Sequence, residues 1–207
     1  ECLKQLKAGN KIIFTNPDTP VKCGGAPQKV MYLTADYCKR HGLLNDVQLD
    51  FSTAGKVIFG IKKYADALMK LVNDYHIQLN FRHNLVAIDG EKKLATFSVV
   101  TEEDIEFVTK PFDMIHVTPP QSAPDFIKTS PLADTKGWID VEKHTLRHTR
   151  YQNIFALGDA TNTPNSKTGA AVRKQAPVLV KNLIAQMEGK AATASYDGYG
   201  SCPLVAG

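Results

Sequence analysis

Apolar positions along the chain follow two periods, and the switch between them marks out the elements. Lys11-Ile-Ile-Phe-Thr15 is a short apolar run that reads as a strand, closed by the turn Asn16-Pro-Asp-Thr-Pro20. Val30, Leu33, Thr34, Tyr37 and His41 then recur at helical spacing, with Pro27 suited to a first turn and Gly42 to a stop. Val47-Gln-Leu-Asp-Phe51 predicts the next strand. Ile61, Tyr64, Ala65, Leu68, Leu71, Val72 and Tyr75 predict a second amphipathic helix, and Ile77-Gln-Leu-Asn-Phe81 another strand. This succession is a βαβ unit.

Leu85 to Asp89, Leu94 to Val100 and Ile105 to Thr109 alternate around charged turns and predict a small antiparallel meander. Met114-Ile-His-Val-Thr118 is one more strand, cut by Pro119-Pro120, and residues 121 to 138 read as an irregular connection. Ile154 to Leu157 predicts a buried strand, Gly158-Asp159 a turn, and Thr168 to Met187 a long helix. The helix is expected to be apolar at Ala170, Ala171, Val178, Leu179, Leu183 and Ile184. The order gives an α/β fold with one nearly complete region, about 5 to 118, and the returning half of another from about 145. No internal repeat interrupts it.

Composition narrows the function classes. The 207 residues carry 25 Lys and Arg against 21 Asp and Glu, a net charge of +4 spread through the chain in pairs. A phosphate-tracking surface needs clustered charge, so no nucleic-acid partner is expected. No apolar run reaches the roughly 18 to 20 residues of a membrane-spanning helix. The chain starts at Glu1 and stops in Pro203-Leu-Val-Ala-Gly207, which reads as a segment cut from a longer polypeptide.

The four cysteines, Cys2, Cys23, Cys38 and Cys202, lack zinc-like spacing. Cys38 falls within a helical pattern and reads as a small packing residue. Cys23 differs: it sits in Pro20-Val-Lys-Cys-Gly-Gly-Ala-Pro-Gln-Lys29, just before a helix start and next to Lys22, and both neighbours favour thiolate. Cys202 lies among Gly198, Gly200 and Pro203 in Tyr196-Asp-Gly-Tyr-Gly-Ser-Cys-Pro-Leu204, a candidate tight, exposed loop. Either could be structural taken alone. The fold, rather than local sequence, would have to bring them together.

No G-x-G-x-x-G occurs, and the turn after the second strand, Ser52-Thr-Ala-Gly-Lys-Val-Ile-Phe-Gly60, carries bulky Val57, Ile58 and Phe59 between its glycines. Such residues would hold a pyrophosphate away from the backbone amides, so nicotinamide binding is not expected.

The two cysteine strings, together with Asn153-Ile-Phe-Ala-Leu-Gly-Asp-Ala160, Ile58-Phe-Gly-Ile-Lys-Lys-Tyr-Ala-Asp-Ala-Leu68 and His116-Val-Thr-Pro-Pro120, resemble sulfide:quinone oxidoreductases, flavoproteins with two dinucleotide-binding domains. The resemblance implies a Rossmann-like α/β fold with three parts. Residues 1–10 would be the end of the FAD-domain portion or a linker, 11–118 a second Rossmann-like domain without a nicotinamide fingerprint, and 119–207 the returning FAD-binding portion with the second redox cysteine. It implies FAD as cofactor, with Asp159 on the ribityl chain after Gly158, and Lys167, Thr168, Gly169 and Ala170 at a helix N-terminus facing the flavin.

It also implies Cys23 and Cys202 as the catalytic redox pair, with Cα atoms within about 10 Å. The implied partners are hydrogen sulfide, a quinone and a small sulfur acceptor such as glutathione or sulfite, with peripheral membrane contact through regions outside this chain. The implied location is the matrix side of the mitochondrial inner membrane or, alternatively, a bacterial cytoplasmic membrane. Alone, these residues are expected to bind FAD weakly, to lack activity and to expose apolar surface near Ile154 to Leu157. His116 is expected to be a satisfied histidine at a strand end, or else to line the site. The competing readings are a nicotinamide:quinone reductase, the flavin subunit of flavocytochrome c, and a truncated, non-catalytic module.

Overall fold

The computed structural model describes all 207 residues, which divide into two units. The first comprises Glu1–Pro20, Gly25–Pro120 and Leu204–Gly207; the second comprises Val21–Gly24 and Gln121–Pro203. A contiguous division at 118/119 therefore misplaces two short segments. Val21–Gly24 joins the second unit because Cys23 is bonded there, its N–H donating to the Lys167 carbonyl at 2.8 Å and its sulfur linked to Cys202. Leu204–Gly207 joins the first because Leu204 and Ala206 pack on its core and the Ala206 carbonyl accepts from the Tyr75 hydroxyl at 3.0 Å.

The first unit is built on a parallel sheet. Strands β1 (Lys11–Asn16), β2 (Gln48–Thr53), β3 (Gln78–Asn80) and β7 (Met114–His116) lie in the order β3-β2-β1-β7, all parallel. Helices α1 (Ala26–Arg40) and α2 (Lys62–Asp74) connect β1 to β2 and β2 to β3. A sheet buried on both faces favours continuous apolar strands, and Ile12, Ile13 and Phe14 are all essentially inaccessible. Strands β4 (His83–Asp89), β5 (Leu94–Val100) and β6 (Ile105–Pro111) form the expected antiparallel meander, with Ala95 and Phe97 of β5 turned inward onto Ile13 and Phe112.

Helix α1 buries only part of the expected face: Thr34 is buried and Val30 and Tyr37 pack on the core, but the inward side extends beyond them. Gln28, Met31, Tyr32, Ala35 and Cys38 point inward, whereas Leu33 and His41 are exposed. The deciding interaction is polar: Gln28 Nε2 donates to the Ile58 carbonyl at 2.6 Å and its Oε1 accepts from the Tyr32 hydroxyl at 3.2 Å. A glutamine that is satisfied on burial can occupy a core position that a hydrophobic count assigns to solvent. Cys38 is a buried packing residue, its thiol pKa raised by burial. In α2 the buried residues are Leu68 and Val72, while Ile61 and Tyr64, at its entry, stay exposed.

His116 ends β7 near Phe14, at 6.3 Å between ring centroids. It is not the satisfied histidine expected, because its Nδ1 is buried without a hydrogen-bond partner; the same burial lowers its pKa.

The second unit contains no sheet. Ala123, Ile127 and Trp138 form a small core around the short helix α3 (Asp125–Lys128), and isolated bridges join Val141 to His148 and Arg147 to Phe155. Ile154 to Leu157 is therefore not a strand. A strand exists by its ladder, and here the segment meets only the 146–148 backbone, through His148 N–H to the Ile154 carbonyl and Ala156 N–H to the Leu146 carbonyl. Those bonds also leave it half-buried rather than exposed.

Helix α4 (Gly169–Met187) forms as the period predicts, but its buried positions are Ala171, Gln175 and Asn182. The expected apolar positions Val178, Leu179 and Leu183 are half-buried and Ile184 is exposed. No helix is long and apolar enough to cross a membrane.

Candidate active site

Cys23 and Cys202 are joined by a disulfide, with Cα atoms 6.0 Å apart and a sequence separation of 179. Both belong to the second unit. Cys23 itself adopts a left-handed conformation, with φ at 61°. The neighbouring Gly24 and Gly25 do not, so the sharp turn falls on the cysteine rather than on its glycines. A non-glycine residue at this φ costs roughly 1–2 kcal/mol and persists only where its surroundings hold it. Here the hold is the bond from its N–H to Lys167 and the covalent link to Cys202.

Beside Cys23, Lys22 donates its N–H to Gln121 Oε1 at 2.8 Å and places its amine 3.7 Å from Asp159 Oδ2. This pair is half-exposed and worth little as an ion pair. The Lys167 amine lies deeper. It donates to the Thr161 carbonyl and sits 4.8 Å from the Trp138 ring centroid, with Lys22 5.9 Å from the same ring. Burial is the largest influence on Lys167 and lowers its pKa; Asp159 opposes that shift and Lys22 adds to it. Trp138, which no motif singled out, is thus the surface against which two cations of the site rest. Its signal in the sequence is only that it is the one tryptophan, in an otherwise irregular segment.

The depressed Lys167 pKa has a defined consequence. The native state sheds this proton before the unfolded chain does, so stability rises with pH from the lowered value up to the unfolded one near ~10.4. Chemical unfolding followed across that window should show this gain in the parent chain and not in Lys167→Met. Equal slopes would mean that the amine is not penalised by burial.

Gly158, Asp159 and Ala160 form one turn of 3-10 helix, entered through Gly158 at φ 72°. The Gly158 N–H donates to Gln175 Oε1 at 2.8 Å, its carbonyl accepts from the Thr161 hydroxyl, and a Cβ added to it would stand 3.1 Å from Val172 Cγ2. Gly158→Ala is expected to destabilise the second unit by about 1–2 kcal/mol through its left-handed φ and this contact. The denaturation midpoint read by Trp138 fluorescence checks it; an unchanged midpoint would show that the turn relaxes freely.

Thr168 caps α4, its hydroxyl accepting from Ala171 N at 3.1 Å. Gly169 and Ala170 follow as the first helical residues, and a Cβ added at Gly169 would meet nothing within 4 Å. The cap takes the Ala171 amide, while those of Gly169 and Ala170 keep no intrahelical partner, as the start of a helix leaves them. Sequence reasoning missed the polar mount beneath them. Gln175 and Asn182 lie seven residues apart on one helical face, a spacing legible only once that face is known to be inward.

The nicotinamide-type turn of the first unit is filled by its own residues. Ile58 is buried with its carbonyl held by Gln28, and Phe59 packs against the same core.

The parallel sheet with its crossover helices is a Rossmann-like α/β fold. Solved structures share it. A sulfide:quinone oxidoreductase from Aquifex aeolicus superposes with a TM-score of 0.67 at 17% identity, covering 86% of this chain and 44% of that one. An FAD-dependent pyridine nucleotide-disulphide oxidoreductase from Desulfovibrio vulgaris gives 0.53 at 17% identity, over 93% and 46%. A chain in the Tetrahymena thermophila mitochondrial ATP synthase gives 0.79 at 21% identity, over 98% and 49%.

Within that fold the chain is similar, over its whole length, to curated sulfide:quinone oxidoreductases. It is 45% identical over 207 residues to the mitochondrial sulfide:quinone oxidoreductase of Mus musculus, 48% identical over 206 to that of Dictyostelium discoideum, and 39% identical over 207 to that of Schizosaccharomyces pombe. At least 99% of the chain is covered in each case, but only 46%, 45% and 44% of those proteins. The chain thus spans about half the length of the curated relatives it matches. No family model matches it.

Proposed function

We propose that this chain is the part of a mitochondrial, FAD-dependent sulfide:quinone oxidoreductase that carries its redox disulfide and the returning part of its flavin site. The observation that carries the reading is the Cys23–Cys202 bond, closed across 179 residues within one unit and flanked by Lys22 and Asp159.

Hydrosulfide attacks the Cys202 sulfur. A new S–S bond forms there as a persulfide, the Cys23–Cys202 bond breaks, and its electron pair leaves on Cys23 as thiolate. The neighbouring Lys22 amine favours that thiolate, which makes Cys23 the better leaving group. The terminal sulfur of the persulfide then passes to a small nucleophile such as glutathione or sulfite. That transfer leaves Cys202 as a thiolate; Cys23 and Cys202 would then together give up two electrons, for which a bound flavin would be the acceptor, and the Cys23–Cys202 bond would be restored.

FAD fits the residues present. The half-exposed Asp159 carboxylate keeps lone pairs free for ribityl hydroxyls, and the open first turn of α4 at Gly169 and Ala170, capped by Thr168, offers donors to the anionic edge of a reduced flavin. Lys167 adds positive charge from within the unit, and Gly158 lets the turn place Asp159. When bound, FAD supplies two-electron transfer between thiolate and quinone. The self-filled turn at Ile58 and Phe59 explains why sulfide, rather than a nicotinamide, is the electron donor. The protein works on the matrix side of the mitochondrial inner membrane, its peripheral membrane contact made by regions outside these residues.

The test is anaerobic titration of the longer protein that contains this chain. Sulfide should bleach its flavin absorbance, added quinone should restore it, and NADH should do neither. Bleaching by NADH, or none by sulfide, would return the function to a nicotinamide- or cytochrome-linked flavoprotein.

A further inference from the structure

Residues 190–203 form neither helix nor strand, yet this arm ends at Cys202. The inward amides of α4 and the His144 backbone hold it. Asn182, 1% exposed, brackets Ala194: its Oδ1 accepts from the Ala194 N–H at 2.9 Å and its Nδ2 donates to the Ala194 carbonyl at 2.9 Å and to the Thr145 carbonyl at 3.1 Å. Two residues on, Tyr196, 2% exposed, donates its N–H to the His144 carbonyl at 2.8 Å while its own carbonyl accepts from His144 Nδ1 at 3.0 Å. Its hydroxyl donates to the Tyr199 carbonyl and also meets Gln175, the amide that receives the Gly158 N–H. Further on, Gly200 runs so close to Ser166 that a Cβ there would stand 3.2 Å from the Ser166 carbonyl.

A disulfide alone would need none of this. Each buried amide and hydroxyl costs free energy unless it is paired, and here the pairing is spent on the backbone of an arm with no other structure. We propose that Asn182 and Tyr196 are positioning residues that hold the arm in place while the Cys23–Cys202 bond is open, so that Cys202 stays within reach of Cys23. The proposal rests on the reading of this disulfide as one that opens and closes in turnover. It adds that the geometry for closing is built into α4 and does not depend on the bond itself.

The size of the effect follows from loop closure. With both anchors gone, the free span to Cys202 begins at the end of α4, near Glu188, rather than at Tyr196, and more than doubles. Closure entropy growing as (3/2)RT ln n then lowers the effective concentration of one sulfur at the other about fourfold, and any loss of stiffness adds to this.

The chain itself is sufficient for the test, in a Cys2→Ser background that removes the exposed third thiol. Equilibration with glutathione measures the closure directly. Two glutathione thiols give two electrons and two protons to the Cys23–Cys202 bond and leave as one glutathione disulfide, so the ratio of forms yields the effective concentration. Asn182→Ala with Tyr196→Ala and His144→Ala, which leaves of these anchors only the Tyr196 N–H bond to the His144 carbonyl, should lower it by about two- to fourfold. A purely structural role would weaken the oxidised and reduced proteins alike and leave the ratio unchanged within about 1.5-fold, which would overturn the proposal.

Hydrogen exchange on the unsubstituted arm, before and after reduction by dithiothreitol, needs no variant to fold. The Ala194 and Tyr196 amides should remain protected in the dithiol form. Loss of their protection on reduction would show that the disulfide holds the arm, not the anchors. Neither measurement involves sulfide or flavin, so a failure here is distinct from a failure of the proposed activity.

Discussion

Cys23→Ser and Cys202→Ser, each introduced into the longer protein, are expected to lower sulfide-driven quinone reduction by at least about three orders of magnitude, the scale lost when a covalent nucleophile or its partner is removed. Attack on a disulfide requires both sulfurs: one accepts hydrosulfide and the other leaves. The two substitutions should therefore not add, and the double variant should be no slower than either single one. Reduction of the flavin by dithionite should survive in all three. Asp159→Ala should separate from them, losing flavin on purification while any protein that retains flavin still responds to sulfide. Turnover and flavin content measured together on the four variants distinguish these roles. Near-normal turnover with both cysteines replaced would sink the sulfur chemistry.

Opening the same bond should also cost the second unit much of its stability. The disulfide closes a loop of 179 residues and ties Val21–Gly24 to the rest of its unit. The chain-entropy estimate for so long a loop is about 5 kcal/mol, and native disulfides contribute about 2–5 kcal/mol. Cys23→Ser/Cys202→Ser should then lower the melting temperature of this unit by about 8–40 °C. The measurement is selective, because the one tryptophan of the chain, Trp138, lies buried in the core of the second unit. Its fluorescence should report an early transition in the variant while far-ultraviolet circular dichroism retains the sheet of the first unit. A shift below about 2 °C would mean that hydrogen bonds, not the cross-link, hold Val21–Gly24 in place.

Much of the first unit was legible because its elements are encoded locally. The apolar runs Lys11–Asn16 and Gln48–Thr53, and the alternation through Leu94–Val100, carry the periods of buried and half-buried strands, and glycine and proline mark their ends. The errors arose where burial was decided by polar groups. Gln28 on α1 and Gln175 and Asn182 on α4 are inward because each finds partners at that depth, and no periodicity of hydrophobic residues can reveal a partner elsewhere in the chain. The segment Ile154 to Leu157 failed for the related reason that a strand is a property of two segments, and this one meets only a bridge.

The strings around Cys23 and Cys202 marked both residues as reactive candidates, and the resemblance they carry implied the pairing. By itself the sequence determined the order of elements in the first unit, the absence of a glycine-rich nicotinamide turn, and the identity of the residues with chemistry to offer. Only the tertiary structure decided that the two sulfurs are bonded across 179 residues, that Cys23 rather than its glycines takes the left-handed turn, and that Lys167 points inward against Trp138. It also decided that an arm without secondary structure is pinned by the amides of α4. The division has one physical cause: periodicity and turn chemistry act between residues a few positions apart, whereas covalent pairing, burial of charge and satisfaction of buried amides depend on groups that only the folded backbone brings within bonding distance.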